Sequence, residues 1–171
     1  MSIDFISIRN GTALFLIGLL LAGCEGKGRL PNVSAGQFTA HVDGAVRDTL
    51  TGPVHYRVKD DSLVGLELGA KDGPGLSIEL EPQPPALRTY EVINWELFNR
   101  ERPGSLPGVV AFLTVDEARF ETTDGTLELT YVGDEQVGAR FNFQMDGEFV
   151  EGPSEVPSVE VTGSLNAPPQ P

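Results

Sequence analysis

The chain has 171 residues, of which 40% are hydrophobic and 22% are charged, enough apolar content for one folded domain with appendages. It carries 12 Lys+Arg against 25 Asp+Glu, a net charge of -13. This acidity argues against nucleic-acid binding, which depends on neutralising phosphates, and against a basic patch for anionic lipid headgroups. A single cysteine excludes an intrachain disulfide.

The N-terminal segment predicts export and lipid attachment. Residues 13–22 read ALFLIGLLLA, an uncharged run of the length of a signal-peptide core. A bilayer span takes about 20 apolar residues, so the run is too short for one. It leads into Leu21-Ala22-Gly23-Cys24, which resembles the lipobox of bacterial lipoproteins. Small residues before Cys24 would admit a peptidase, and its thiolate is the group that a diacylglyceryl chain alkylates.

This interpretation divides the chain into four parts. Residues 1–23 are expected to be a lipoprotein signal peptide, 24–36 the lipidated Cys24 with a flexible tether, 37–165 a single β domain and 166–171 a disordered tail. Acyl chains such as palmitate on Cys24 make the membrane of a bacterial cell envelope the expected partner. In a Gram-negative host, Glu25 favours the outer membrane or the periplasmic face. The alternatives are an ordinary signal peptide with Cys24 as a free thiol, an uncleaved anchor, or a buried segment.

From residue 37 onwards, apolar side chains alternate with period two, which predicts strands. The predicted strands are 37–42, 54–58, 62–68, 76–80, 89–93, 109–115, 118–122, 125–132, 137–145 and 159–165. Asp-Gly pairs at 43–44, 72–73, 124–125 and 146–147, and Gly133-Asp134, predict tight turns.

A proline-rich crossover at 81–87, a helical turn at 94–100 and a loop at 99–108 complete the pattern. The expected fold class is all-β. About 8–10 short hairpin-linked strands would form an antiparallel β-sandwich or a partly open barrel.

The order of these segments resembles a family of small uncharacterised bacterial lipoproteins. The matching stretches are FTAHVDG (38–44), TYEV (89–92), GTLELTYVGDEQVGARFNFQM (125–145) and VEVTGSLNAP (159–168), after the lipobox. The commoner form has a tryptophan soon after its opening strand, whereas the one tryptophan here is Trp95. The resemblance implies an all-β domain on a lipid anchor, and it implies no reaction.

Candidate catalytic groups do not form a known pattern. Ser77 in GLSIE lacks the second glycine of G-x-S-x-G and lies within a predicted strand. His41 and His55 have no metal-ligand spacing and are expected on the surface, although adjacent strands would bring two histidines together. Trp95 and Phe98 are expected to plug one end of the fold, or to line a ligand mouth.

Neighbouring acids are frequent, and we expect most of them to be solvated. They are Asp60-Asp61, Glu79 with Glu81, Asp116-Glu117 and Asp134-Glu135. Two of them facing across a cleft would suit a hydrolase, and loop acids would suit calcium. We predict neither, and no catalytic, cofactor or metal residue is assigned.

The sequence therefore predicts a lipid-anchored envelope protein that is not an enzyme. Its β domain is expected to bind a partner or to serve a structural role, with Cys24 as the one assigned site. The alternatives are a barrel-like carrier of a small apolar ligand and, third, an acidic hydrolase.

Overall fold

The computed structural model describes residues 28–69, 73–93, 107–115, 118–147 and 157–171. Nine strands lie in these ranges: β1 (Gln37–Gly44), β2 (Asp48–Lys59), β3 (Ser62–Gly69), β4 (Gly75–Gln83), β5 (Arg88–Val92), β6 (Gly108–Val115), β7 (Ala118–Val132), β8 (Val137–Gly147) and β9 (Ser158–Ala167). The predictions for Cys24, Trp95, Phe98, Asp116, Glu117 and the helical turn 94–100 fall outside the described residues. Within those ranges, no helix has the length and apolar character that crossing a membrane requires.

The strands form a closed barrel in the order β1-β2-β3-β4-β6-β5-β7-β8-β9, with β9 returning to β1. Neighbouring strands are antiparallel except for a short parallel contact between β5 and β6. The all-β class is confirmed. The sandwich alternative is not correct. The partly open barrel is close to the observed fold, which is a barrel closed by the pairing of all of β1 with β9. The predicted crossover 81–87 carries the chain past β6 to β5.

Alternating apolar side chains from all nine strands fill the barrel as one contiguous cluster. Its largest fully buried members are Tyr90, Phe38, Phe120, Phe143, Leu63, Leu66, Leu76, Ile78, Leu80, Leu113, Leu127 and Leu129. The period-two pattern of the sequence therefore marks the inward face of each strand. The polar side chains that alternate with it make up the outer wall.

One predicted hairpin is a β-bulge. Residues 118–122 and 125–132 were expected to be two strands joined at Asp124-Gly125, but they form the single 15-residue strand β7. The pairing with β8 shifts between Thr122 and Asp124, which changes the inward positions from even to odd numbers. Gly125 has φ 122°, and a Cβ there would lie 2.1 Å from the Asn142 carbonyl oxygen. The Asp-Gly pair thus serves a bend within a strand.

The short turns follow the sequence more closely. The turn at Gly133-Asp134 is confirmed by a 2.9 Å hydrogen bond from Gly133 N to Gln136 O. The β2–β3 hairpin is closed by Asp60 and Asp61, whose φ angles of 50° and 59° correspond to a two-residue type I′ turn. This acidic pair therefore has a structural role as a turn.

Residues 28–36 of the predicted tether and the predicted tail 166–171 lie against the barrel. The expected tether does not extend through residue 36, since Arg29 N donates to Thr130 O at 2.7 Å and Pro31 is buried. A register shift in β7 leaves the Thr130 carbonyl available for this contact. The expected disordered tail is also incorrect, because β9 continues to Ala167 and residues 168–170 exchange hydrogen bonds with Tyr56.

Candidate functional site

The two histidines lie far apart on the outer wall. His41 is exposed on β1, with Nδ1 3.2 Å from Thr49 Oγ1, and the register places it opposite that residue. His55 lies on β2, six positions beyond Thr49, which corresponds to about 20 Å along the strand. The pair therefore does not form a metal site. No group of three His, Cys, Asp or Glu suited to a metal is found in the described part of the chain.

A histidine, a glutamate and a serine are neighbours across three strands. Glu67 on β3 pairs with His55 on β2 and with Ser77 on β4. The carboxylate thus lies between the other two groups, which are about 10 Å apart because strands are spaced about 4.8 Å. A serine nucleophile needs the imidazole beside its hydroxyl, with the acid behind it. This row has the three residue types in an order that does not support that reaction.

Arg57 forms a cross-strand brace with two of the acids. It pairs with Gly65 on β3, and Gly65 pairs with Glu79 on β4. The guanidinium crosses Gly65 and binds Glu79 through Nη2. Its Nε lies 3.3 Å from Glu67 Oε1 without hydrogen-bond geometry, so that contact is electrostatic. We call Arg57, Gly65, Glu67 and Glu79 the Arg57 cluster.

Gly65 makes this brace possible. A Cβ at that position would lie 2.4 Å from Arg57 Nη2 and 2.9 Å from Cζ. Burial raises the pKa of Glu79 above its usual 4.5, the Arg57 charge and hydrogen bond lower it, and Glu67 raises it again. Two carboxylates share one guanidinium here. The Arg57 guanidinium is therefore occupied by carboxylates of the chain itself.

The predicted acid pair Glu79 and Glu81 lies on one face of β4, but each carboxylate has a structural partner. Glu79 binds Arg57, and Glu81 Oε2 accepts a 2.8 Å hydrogen bond from Gly108 N. Asp134 and Glu135 lie in the β7–β8 turn. These acids stand on the convex outside of the barrel, whereas a glycosidase-type pair faces across a cleft.

Three arginines converge on an open groove of about 500 Å³ beside β5 and β7. Its lining residues are Arg29, Leu87, Arg88, Thr89, Glu128, Leu129, Thr130 and Arg140. The register explains the convergence, because Glu128 on β7 pairs with Arg140 on β8 and with Thr89 on β5. We call Arg29, Leu87, Arg88, Thr89, Glu128 and Arg140 the arginine groove.

Within the described ranges, the guanidinium groups of the arginine groove have no carboxylate at ion-pair distance. Arg88 donates to neutral acceptors, Gln83 Oε1 at 3.1 Å and Pro84 O at 3.2 Å. Considering only the described residues, ion pairs join Arg47 to Asp43 and Arg57 to its two glutamates, and none involves Arg29, Arg88 or Arg140. Three cations against the single Glu128 give a local positive excess on an acidic protein, which can attract an anion.

Sequence reasoning missed this groove. Arg29, Arg88 and Arg140 are more than fifty positions apart, and no basic run marks them. Only the pairing of β5 with β7 and the return of residues 28–31 onto β7 bring them together. No family model, curated protein or solved structure matches this chain.

Proposed function

We propose that this protein is a lipid-anchored component of the bacterial envelope, whose barrel binds a partner or serves a structural role without catalysing a reaction. The observation that carries the proposal is the Leu21-Ala22-Gly23-Cys24 sequence at the end of an apolar run. Acylation of Cys24 would hold the chain at a membrane, because two or three acyl chains bind firmly where one binds marginally.

The start of the barrel supports a close anchor. Gly28 already pairs with Tyr131, and three residues separate it from Cys24. Four peptide links span at most about 14 Å. The lipid would therefore hold the barrel directly at the headgroup surface, without a flexible tether that extends through residue 36.

The filled interior of the barrel favours a function on its outer wall. A carrier of small apolar ligands usually offers a cavity of about 300–1,000 Å³. Here Phe38, Tyr90, Phe120 and Phe143 are among the fully buried side chains that pack inside the barrel. The absence of catalysis is proposed because the described histidines, Ser77 and the glutamates are separated or bound to structural partners.

Metabolic labelling tests the anchor. Cells that express the full chain are grown with a clickable palmitate, and the protein is recovered from membranes. We expect label on the wild type and none on Cys24→Ala. The matched control is Cys24→Ala with Ser34→Cys, which restores a thiol ten residues outside the lipobox and should remain unlabelled. Label that persists on Cys24→Ala would refute the proposal.

A further inference from the structure

We propose that the arginine groove is the membrane-facing surface of the barrel and binds the phosphate groups of phospholipid headgroups beside the anchor. This inference rests on the proposed acylation of Cys24. It adds an orientation and a ligand class, because a lipid anchor alone leaves the barrel free to turn any face towards the bilayer.

The groove lies close to the expected lipid anchor at Cys24. The chain reaches the barrel at the groove itself, where Arg29 N donates to Thr130 O and a Cβ on Gly28 would lie 2.7 Å from Leu87 Cδ2. With Cys24 at most about 14 Å from Gly28, Arg29 and Leu87 must lie near the headgroups. The headgroup layer is itself several ångströms thick on each side of the bilayer.

The side chains of the groove have the chemistry that phospholipid headgroups require. A guanidinium presents a planar fork of donors that matches phosphate oxygens, and three of them line this groove without an ion pair to a described residue. Leu87 at the edge is 47% exposed, one of two large apolar side chains of the described residues that are so exposed. Arginines with an exposed leucine suit a surface that is anionic outside and apolar beneath.

The negative charge of the whole protein favours an orientation with the groove towards the membrane. A net charge of -13 would repel an anionic membrane from most orientations. The groove combines three arginines with the single Glu128, so it is a face on which attraction exceeds repulsion. The acidic remainder and the basic groove would together orient the anchored barrel.

A depth measurement tests the orientation. The full lipoprotein is purified from bacterial membranes and placed in phosphatidylcholine vesicles containing phosphatidylglycerol and a headgroup nitroxide quencher. Because Cys24 would be consumed by lipid, one introduced cysteine can carry a fluorophore: Thr89→Cys in the groove, or the exposed Thr51→Cys on β2 as the matched control. We expect quenching at position 89 to be several-fold stronger than at position 51. Equal quenching would overturn the proposal.

Charge variants and a soluble anion identify the ligand. Arg29→Gln with Arg140→Gln should reduce quenching at position 89 several-fold, whereas Arg47→Gln, outside the groove, should leave it unchanged. If both variants behave alike, the groove does not bind the headgroups. Inorganic phosphate at millimolar concentration should reduce quenching at position 89 only as much as chloride does at matched ionic strength. Specific displacement by phosphate would assign the groove to a soluble phosphate ligand and overturn the lipid assignment.

Fluorophore labelling of the parent chain, which is the wild type without an introduced cysteine, separates the proposal for the anchor from the proposal for the groove. If Cys24 is acylated, the parent takes up no fluorophore. Fluorophore at Cys24 would refute the anchor. An unlabelled parent with weak quenching at position 89 would refute the groove's orientation and leave the anchor standing.

Discussion

The Arg57 cluster and the arginine groove both present guanidinium groups on the barrel wall, with opposite consequences. In the Arg57 cluster, one cation crosses Gly65 to reach Glu79 and lies near Glu67. In the arginine groove, three cations face one glutamate and form no ion pair with the described residues. The same residue type thus holds strands together in one place and, among the described residues, has no carboxylate partner in the other. The number of carboxylates in reach decides which role it has.

The largest contrast is expected from deleting one arginine in each region. Arg57→Met leaves Glu67 and Glu79 as neighbours without a counter-charge, and it should lower the free energy of unfolding by about 1–3 kcal/mol. Arg140→Met removes an exposed cation and should change it by less than about 0.5 kcal/mol. Urea denaturation of both variants measures the difference. Similar losses in the two variants would remove the distinction between the regions.

A smaller effect is expected at the glycine that places Arg29 in the groove. Gly28 has φ 75°, and a Cβ there would lie 2.0 Å from the Thr130 carbonyl oxygen. Gly28→Ala should detach residues 28–31 from β7, costing about 1–2 kcal/mol and removing hydrogen-exchange protection at the Arg29 amide.

Gly36→Ala is the matched control for that change. Gly36 has nearly the same φ, 73°, but open space around its Cβ position. Protection of the Arg29 amide should survive this substitution. If Gly28→Ala also keeps it, the segment is not held at the groove by this contact.

The smallest effect concerns pH. Since burial raises the pKa of Glu79, the folded state binds more protons than the unfolded state just above pH 4.5. As the pH rises through that window, the free energy of unfolding of the wild type should therefore fall relative to that of Glu79→Gln. At lower pH, where Glu79 is protonated, the two proteins should be equally stable. Denaturation of both at a series of pH values checks the sign, and Glu160→Gln on the exposed part of β9 controls for the loss of one charge. A wild type that gains on the variant as pH rises would show that the Arg57 ion pair outweighs burial.

The strands were predictable, while their arrangement was less so. Period two marks the inward residues because each strand has one face in the core, and Phe38, Ala40 and Val42 follow that rule in β1. Barrel closure depends on pairing β1 with β9, which no local pattern encodes. The tight turn predicted at Asp124-Gly125 was wrong because the positive φ that glycine adopts in a hairpin also suits a β-bulge.

The candidate surfaces divide in the same way. Cys24 is assigned from a contiguous four-residue pattern, so the sequence alone supports it as a prediction. The arginine groove depends on contacts between β5, β7 and the segment at residue 28, and its cations are scattered along the chain. Surfaces assembled by closure of a sheet leave no run of residues to detect.

The mass of the intact protein recovered from bacterial membranes tests the central claim most directly. A chain that begins at Cys24 and carries the added mass of a diacylglyceryl group, with or without a third acyl chain, is the predicted result. A mass that retains residues 1–23, or that corresponds to an unmodified Cys24, would contradict the account.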